Sequence, residues 1–210
     1  MARSIARRTL LPQAILVGLL LVPLAVASDS DSKYQDTHTD ARDFVAGGMV
    51  HLRLRVGDLQ IRRGDSNRIR LRYTVKSRHE RNIKETQVDF EVRGNDASIE
   101  FRAPGSNTQV DVELEVPPTT NLDVHQKVGD LSVEDIEGDK DLDLSVGDIH
   151  VANGHSGYRL VHASTSIGDV NCAGYGESSG WLGKTLKYQG DGKFELRAHV
   201  SVGDITLQEK

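Results

Sequence analysis

The chain is predicted to be all-β, a single-domain β-solenoid of the right-handed parallel β-helix type, and three observations predict it. Apolar residues alternate with polar ones over many short runs. A six-residue pattern, apolar-Gly-Asp-apolar-x-apolar, occurs five times: Val56–Ile61, then VGDLSV from Val128, VGDIHV from Val146, IGDVNC from Ile167 and VGDITL from Val202. Aromatic residues make up only 5% of the 210 residues, which suits a layered aliphatic core better than an aromatic one.

The elements follow in order. Arg3, Arg7 and Arg8 precede an apolar run, Ala14–Leu24, and Ala25-Val26-Ala27 has the small-x-small form of a cleavage site. Residues 1–27 therefore read as a secretory signal peptide; the apolar run is too short to span a bilayer comfortably. Arg7-Arg8 only partly matches a twin-arginine signal, so the general secretory route is expected, with the mature chain in the periplasm, the cell envelope or outside the cell. Cleavage after Ala27 leaves 23 basic against 31 acidic residues, a net charge of −8. That surface excludes nucleic acid as a partner and disfavours adsorption to anionic lipid. Residues 28–43 are polar and without period, and read as a flexible leader to a domain spanning 44–210.

From Phe44 onward the alternation begins. It runs through Val50–Val56, Ile69–Val75, Val88–Val92 and Val110–Val116, and no amphipathic helix is predicted. Arg93-Gly94-Asn95-Asp96-Ala97 reads as a hairpin turn joining 88–92 to 98–102, so the N-terminal third is expected to contain antiparallel strands. Next comes the repeat. Its glycines are spaced by 72, 18, 21 and 35 residues, as for coils of about 18 residues, some lacking the motif. Within one coil, Leu142, Leu144 and Val146 point inward, Gly147-Asp148 turns the chain, and Ile149 and Val151 point inward again. Leu122, Val124, Val128, Leu131 and Val133 repeat this, as do Leu160, Ile167, Val170 and Cys172. Gly tolerates the positive φ of such a bend, and the Asp carboxylate can take backbone N–H groups. The structural corners are thus Gly57, Asp58, Gly129, Asp130, Gly147, Asp148, Gly168, Asp169, Gly203 and Asp204. Cys172 is the only cysteine, so no disulfide forms within the chain, and its inward place makes it a buried apolar residue.

The repeated Gly-Asp pairs, the Val116-Pro117-Pro118 step before them, and the closing Gly190-Asp191-Gly192, FELRAHV and VGDITL together resemble the bacterial "putative adhesin" domains. The resemblance covers about residues 45–208. It implies a right-handed β-solenoid on the envelope or outside the cell, and no established activity. The 72-residue first gap departs from the simplest members.

Stacked coils would bring Asp130, Asp148 and Asp169 into a ladder of like charges about 4.8 Å apart, repelling by roughly 1 kcal/mol per pair in water. Backbone N–H groups are the expected compensation; Ca²⁺ is the alternative, although the nine-residue calcium repeat is absent. No zinc spacing links the eight histidines, and Gly183-Lys184-Thr185 lacks the first glycine of a phosphate loop, Ser178 standing there. No cofactor is expected. Tyr175, Trp181 and Tyr188 lie in or beside a Gly/Ser-rich loop, where they would cap the core or form a sugar-binding surface. No nucleophile motif occurs, and the acidic pairs Asp135/Glu137 and Asp139/Asp141 read as turn charges. The expected role is a non-enzymatic envelope protein presenting its surface for adhesion to, or binding of, a protein or glycan. Self-assembly through open strand edges and polysaccharide cleavage on the solenoid face are the alternatives.

Overall fold

A computed structural model describes residues 32–65, 67–105, 107–153 and 157–209. The signal-peptide segment 1–27 and the first residues of the leader lie outside them. Among the described residues, no helix is long and apolar enough to cross a membrane.

Among the described residues, sixteen strands and one short helix follow in chain order: β1 (Tyr34–Asp43), β2 (Met49–Val56), β3 (Leu59–Arg63), β4 (Arg68–Ser77), α1 (Glu80–Glu85), β5 (Gln87–Arg93), β6 (Asp96–Arg102), β7 (Thr108–Val116), β8 (Asn121–Val128), β9 (Leu131–Glu134), β10 (Lys140–Val146), β11 (Ile149–Asn153), β12 (Tyr158–Ile167), β13 (Val170–Cys172), β14 (Thr185–Gln189), β15 (Phe194–Val202) and β16 (Ile205–Glu209). They form two eight-stranded mixed sheets. One is ordered β1-β4-β7-β3-β9-β11-β16-β13, the other β14-β12-β15-β10-β8-β2-β6-β5. Five times the chain leaves the second sheet, bends at a Gly-Asp pair and enters the first: β2 to β3, β8 to β9, β10 to β11, β12 to β13 and β15 to β16.

Parallel register puts each inward residue over its equivalent, because strands of equal phase stack with like positions aligned. Leu52, Val124, Leu142, Ala198 and Ala163 form one such column, and Ile61, Val133, Val151, Leu207 and Cys172 another. All ten are buried. Cys172 occupies the place read for it, and burial pushes its thiol up to about 11.

The layers do not stack in chain order. The β2–β3 layer lies directly on β8–β9, although 72 residues separate Gly57 from Gly129. The gap therefore does not hold a run of 18-residue coils; it holds one further layer, β6 and β7, parallel on β2 and β3 and without the Gly-Asp motif. The rest of the gap, β4, α1 and β5, closes that end of the stack with β1 through the antiparallel pairs β1–β4, β4–β7 and β5–β6. At the other end, β15–β16 inserts between β10–β11 and β12–β13. A sequence period sets how long one layer is; it does not say which layer lies next to which.

Four local expectations need correction. Residues 34–43 are a strand, not a flexible leader: all ten pair antiparallel with β4. They are nearly all exposed, so the backbone ladder and surface contacts such as His38 on Tyr73 hold them, and no burial period marks them. The helix α1 was not predicted because it buries no residue; the ion pairs Glu80–Lys84 and Arg81–Glu85, both 2.6 Å, brace it. In β12 a register shift between Tyr158 and Leu160 moves the inward phase, so Val161 rather than Leu160 enters the core. Finally, Val128, Val146 and Ile167 are not core residues. They are 42–49% exposed, because the two sheets do not close over the last position before the bend. The predicted hairpin is present: Arg93 pairs with Asp96 across Gly94-Asn95, and Gly94 has φ 65°, matching a turn that takes glycine first.

Candidate functional site

The five Gly-Asp corners lie in one column. Gly57, Gly129, Gly147, Gly203 and Gly168 have φ between 120° and 137°, a region that side chains rarely adopt. A Cβ on Gly129 would stand 2.1 Å from the Gly57 carbonyl oxygen, one on Gly147 the same distance from Gly129, and one on Gly203 2.0 Å from Gly147. Gly168 meets Gly203 in the same way, so Gly129 and Gly147 are neighbours while Gly203 separates Gly147 from Gly168. Only glycine lets the layers approach this closely.

The aspartates form the predicted ladder in this order rather than in chain order. Asp130 donates its backbone N–H to Asp58 Oδ1 at 3.1 Å, Asp148 to Asp130 at 3.1 Å, Asp204 to Asp148 at 2.8 Å and Asp169 to Asp204 at 2.8 Å. At the other end Asp58 N–H reaches Asp111 Oδ1 at 3.3 Å, and Asp111 in turn takes the Lys76 ammonium at 2.5 Å. Each carboxylate up to Asp204 thus accepts an N–H from the next layer, which offsets the repulsion along the row. The calcium candidates Asp130, Asp148 and Asp169 are not a contiguous trio, because Asp204 stands between the last two. Among the described residues no three His, Cys, Asp or Glu side chains converge as metal ligands.

Beside the Asp row runs a second row. Val56, Val128, Val146, Val202 and Ile167 are aligned partner to partner across β2, β8, β10, β15 and β12. Five rungs at about 4.8 Å make an aliphatic strip about 19 Å long. Past Ile167 the Leu182 carbonyl accepts the Gly168 N–H, so Leu182 continues the strip, and Trp181, 97% exposed, follows it. Gly183 permits this approach, since a Cβ there would sit 2.2 Å from the Thr165 carbonyl.

On the other side of the Asp row, Gln60, Ser132, His150, Thr206 and Asn171 align across the outer face of the first sheet. A shallow groove of about 510 Å³ opens there, lined by Asp58, Gln60, Arg72, Asp130, Ser132 and His150 among others. The rim therefore carries three parallel stripes: aliphatic, acidic and uncharged polar.

The aromatic trio separates. Tyr175 and Tyr188 pack edge to face, ring centroids 5.0 Å apart, and both lie partly buried against the core near Tyr158. They cap the core. Trp181 stands exposed at the end of the aliphatic strip.

Sequence reasoning missed two features. Gly138-Asp139 is a corner of the opposite rim, where the chain re-enters the second sheet: Gly138 has φ 134°, Asp139 N–H meets Asn121 Oδ1 at 2.9 Å, and Glu195 N–H meets Asp139 Oδ1 at 2.8 Å. Its Gly-Asp dipeptide was the available signal, hidden because Glu137 and Lys140 flank it in place of apolar residues. The second is Lys140. It occupies an inward site between Leu122 and Leu196, its Nζ donates to the Gly138 carbonyl at 3.0 Å, and it lies 5.1 Å from the Tyr158 ring centre. Burial pushes its pKa down to about 7, against the pull of Asp139 and Glu137. On the outer face of the second sheet, Asp123 bridges His51 at 2.6 Å and His125 at 3.1 Å, partners that lie on different strands.

No family model matches the chain, and no curated protein does. Among solved structures it is similar to a "putative cell adhesion protein" from Clostridium sporogenes, at 15% identity and a TM-score of 0.52, over 83% of this chain and 100% of that one. A "putative adhesin" from Bacteroides fragilis covers 82% of this chain and 97% of its own at 10% identity and a TM-score of 0.37. The first likeness shows a shared all-β fold.

Proposed function

We propose that this is an exported, non-enzymatic envelope protein, a β-solenoid with inserted layers, whose corner rim binds a protein partner. The observation that carries this reading is the exposed strip Val128, Val146, Val202 and Ile167, ending in Leu182 and Trp181 beside a row of carboxylates. A folded chain gains nothing by leaving aliphatic side chains in register in water, whereas a partner that covers them gains about 25 cal/mol per Å² of apolar area. The adjoining aspartates fit a segment that carries Lys or Arg next to aliphatic side chains. A glycan is the weaker fit, since Tyr175 and Tyr188 are engaged in the core and leave Trp181 alone. Adhesion is consistent with the name of the Clostridium sporogenes protein and with the signal-peptide reading of residues 1–27. The solenoid reading rests on the five aligned Gly-Asp bends and the parallel register of β2, β8, β10, β15 and β12. Catalysis is disfavoured because one oxygen of Asp58 and of Asp130, in the groove, already accepts a backbone N–H.

The test is selection of a random-peptide display library on the exported protein, with Val128→Asp/Val146→Asp as counter-selection. Enriched peptides should combine aliphatic and basic residues, lose at least tenfold in affinity to the double variant, and shift the emission of Trp181, the only tryptophan. Peptides that bind both proteins equally, or sugars that outcompete them on a glycan array, would overturn the protein-binding reading. Turnover of a uronic-acid polysaccharide would overturn the non-enzymatic one.

A further inference from the structure

We infer that β1 is a self-pairing edge: two copies of this chain join their first sheets antiparallel through Tyr34–Asp43, with Thr39 on the two-fold axis. The inference is independent of the corner rim and starts from an unpaired edge. Among the described residues β1 is the outermost strand of its sheet, bonded only to β4, and is ten residues long. An edge of that length carries a full row of outward N–H and C=O groups, a template for a further strand. The phase of that row is marked by Ala41, whose N–H meets the neighbouring Asp40 carboxylate at 2.7 Å instead of β4. Odd-numbered residues therefore face the free edge, and Asp36, His38, Asp40 and Arg42 alternate with them.

The charges choose the register. With Thr39 opposite Thr39 of the second copy, Asp36 faces Arg42 twice and His38 faces Asp40 twice, and nine of the ten residues, Gln35–Asp43, are paired. Moving the axis to His38 sets Asp36 against Asp40. Moving it to Asp40 sets that carboxylate against itself and His38 against Arg42. Axes at Thr37 or Ala41 avoid like charges but leave several residues of the strand unpaired. Only the Thr39 register opposes every charged pair correctly along almost the whole strand. The odd residues then form hydrogen-bonded pairs, about ten N–H···O bonds in all, and the charged residues fall at the closer non-hydrogen-bonded sites, where side chains approach best. Today these charges close on neighbours of the same strand, His38 on Asp36 at 3.2 Å and Arg42 on Asp40 at 3.3 Å, while Arg42 also covers the Phe90 ring at 4.6 Å. The dimer exchanges such exposed contacts for equivalent ones across the axis and adds the ladder. The same charges repel a strand of different pattern, so the edge is selective rather than sticky. The second sheet offers no equal: β5 paired on itself about Phe90 would set Asp89 against Glu91 twice.

Sedimentation of the exported protein from about 1 to 200 µM tests this. A dimer is expected. Thr39→Pro, which removes an edge-facing N–H and none of the bonds to β4, should weaken it at least tenfold with unchanged circular dichroism. Asp36→Arg should do the same, and adding Arg42→Asp should restore pairing by exchanging the charges. A wild-type monomer at 200 µM would overturn the inference. So would a dimer that survives Thr39→Pro, or one abolished by Val128→Asp/Val146→Asp instead, which would assign self-association to the rim. Loss of peptide binding in the rim variant with an intact dimer would separate the two surfaces.

Discussion

Lys140 sits where every equivalent side chain is aliphatic, stacked on Leu122 and Leu196 with Val50 and Val161 beyond them. Its hydrogen bond to the Gly138 carbonyl ties the ammonium to the corner that re-enters the second sheet. Burial lowers its pKa from 10.5 to about 7, so the folded chain binds fewer protons than the unfolded chain between those values. Stability therefore rises as pH increases from about 7 to 10.5; the penalty is absent above that window and complete below it. Lys140→Met should remove this slope and raise stability at pH 7 by about 2 kcal/mol, since a desolvated charge is exchanged for a fitting apolar chain. Urea denaturation at pH 7 and pH 10 checks both: a variant that keeps the slope would show that another group produces it.

At the scale of the corner, each Asp stabilises the next layer rather than its own bend. Asp148→Ala leaves the Asp204 N–H without its acceptor and should cost about 1 kcal/mol. Asp148→Asn keeps an acceptor oxygen and relieves repulsion from Asp130 and Asp204, so it should match or slightly exceed the parent in melting temperature. If Asn costs as much as Ala, the charge rather than the acceptor matters. This corner was legible in the sequence because one dipeptide recurs with the same apolar flanks, and the inward columns were legible because their period is two. Elements that bury nothing left no trace: β1 is held by its backbone ladder and exposed side-chain contacts, and α1 by surface ion pairs. Val128, Val146 and Ile167 misled for a related reason. Alternation counts positions along a strand and cannot see that the opposing sheet ends one residue earlier. Trp181 was grouped with two tyrosines by proximity in sequence, and packing alone separates it from them.

For the whole molecule, the order of layers decides what can be removed. In a regular repeat array the last unit contacts one neighbour, and trimming it costs only that interface. Here β15 is bonded on both sides, to β10 and to β12, and β16 likewise to β11 and β13. Truncation after Gln189 should therefore not yield a shortened but folded stack. It would leave β12–β13 without its parallel partner and expose the inward faces of β10 and β11. A cooperative near-ultraviolet melt in the truncated chain would contradict this.

The placement of β15–β16 also sets when the chain can become native. Synthesis proceeds from the amino end, yet the strands that bridge the two blocks come after both of them. A nascent chain held short of Phe194 would offer proteases two loose halves, and protection would arrive as one late event when the final strands slot into the vacancy. Under the export proposed above, such late closure would keep the polypeptide threadable until it has crossed.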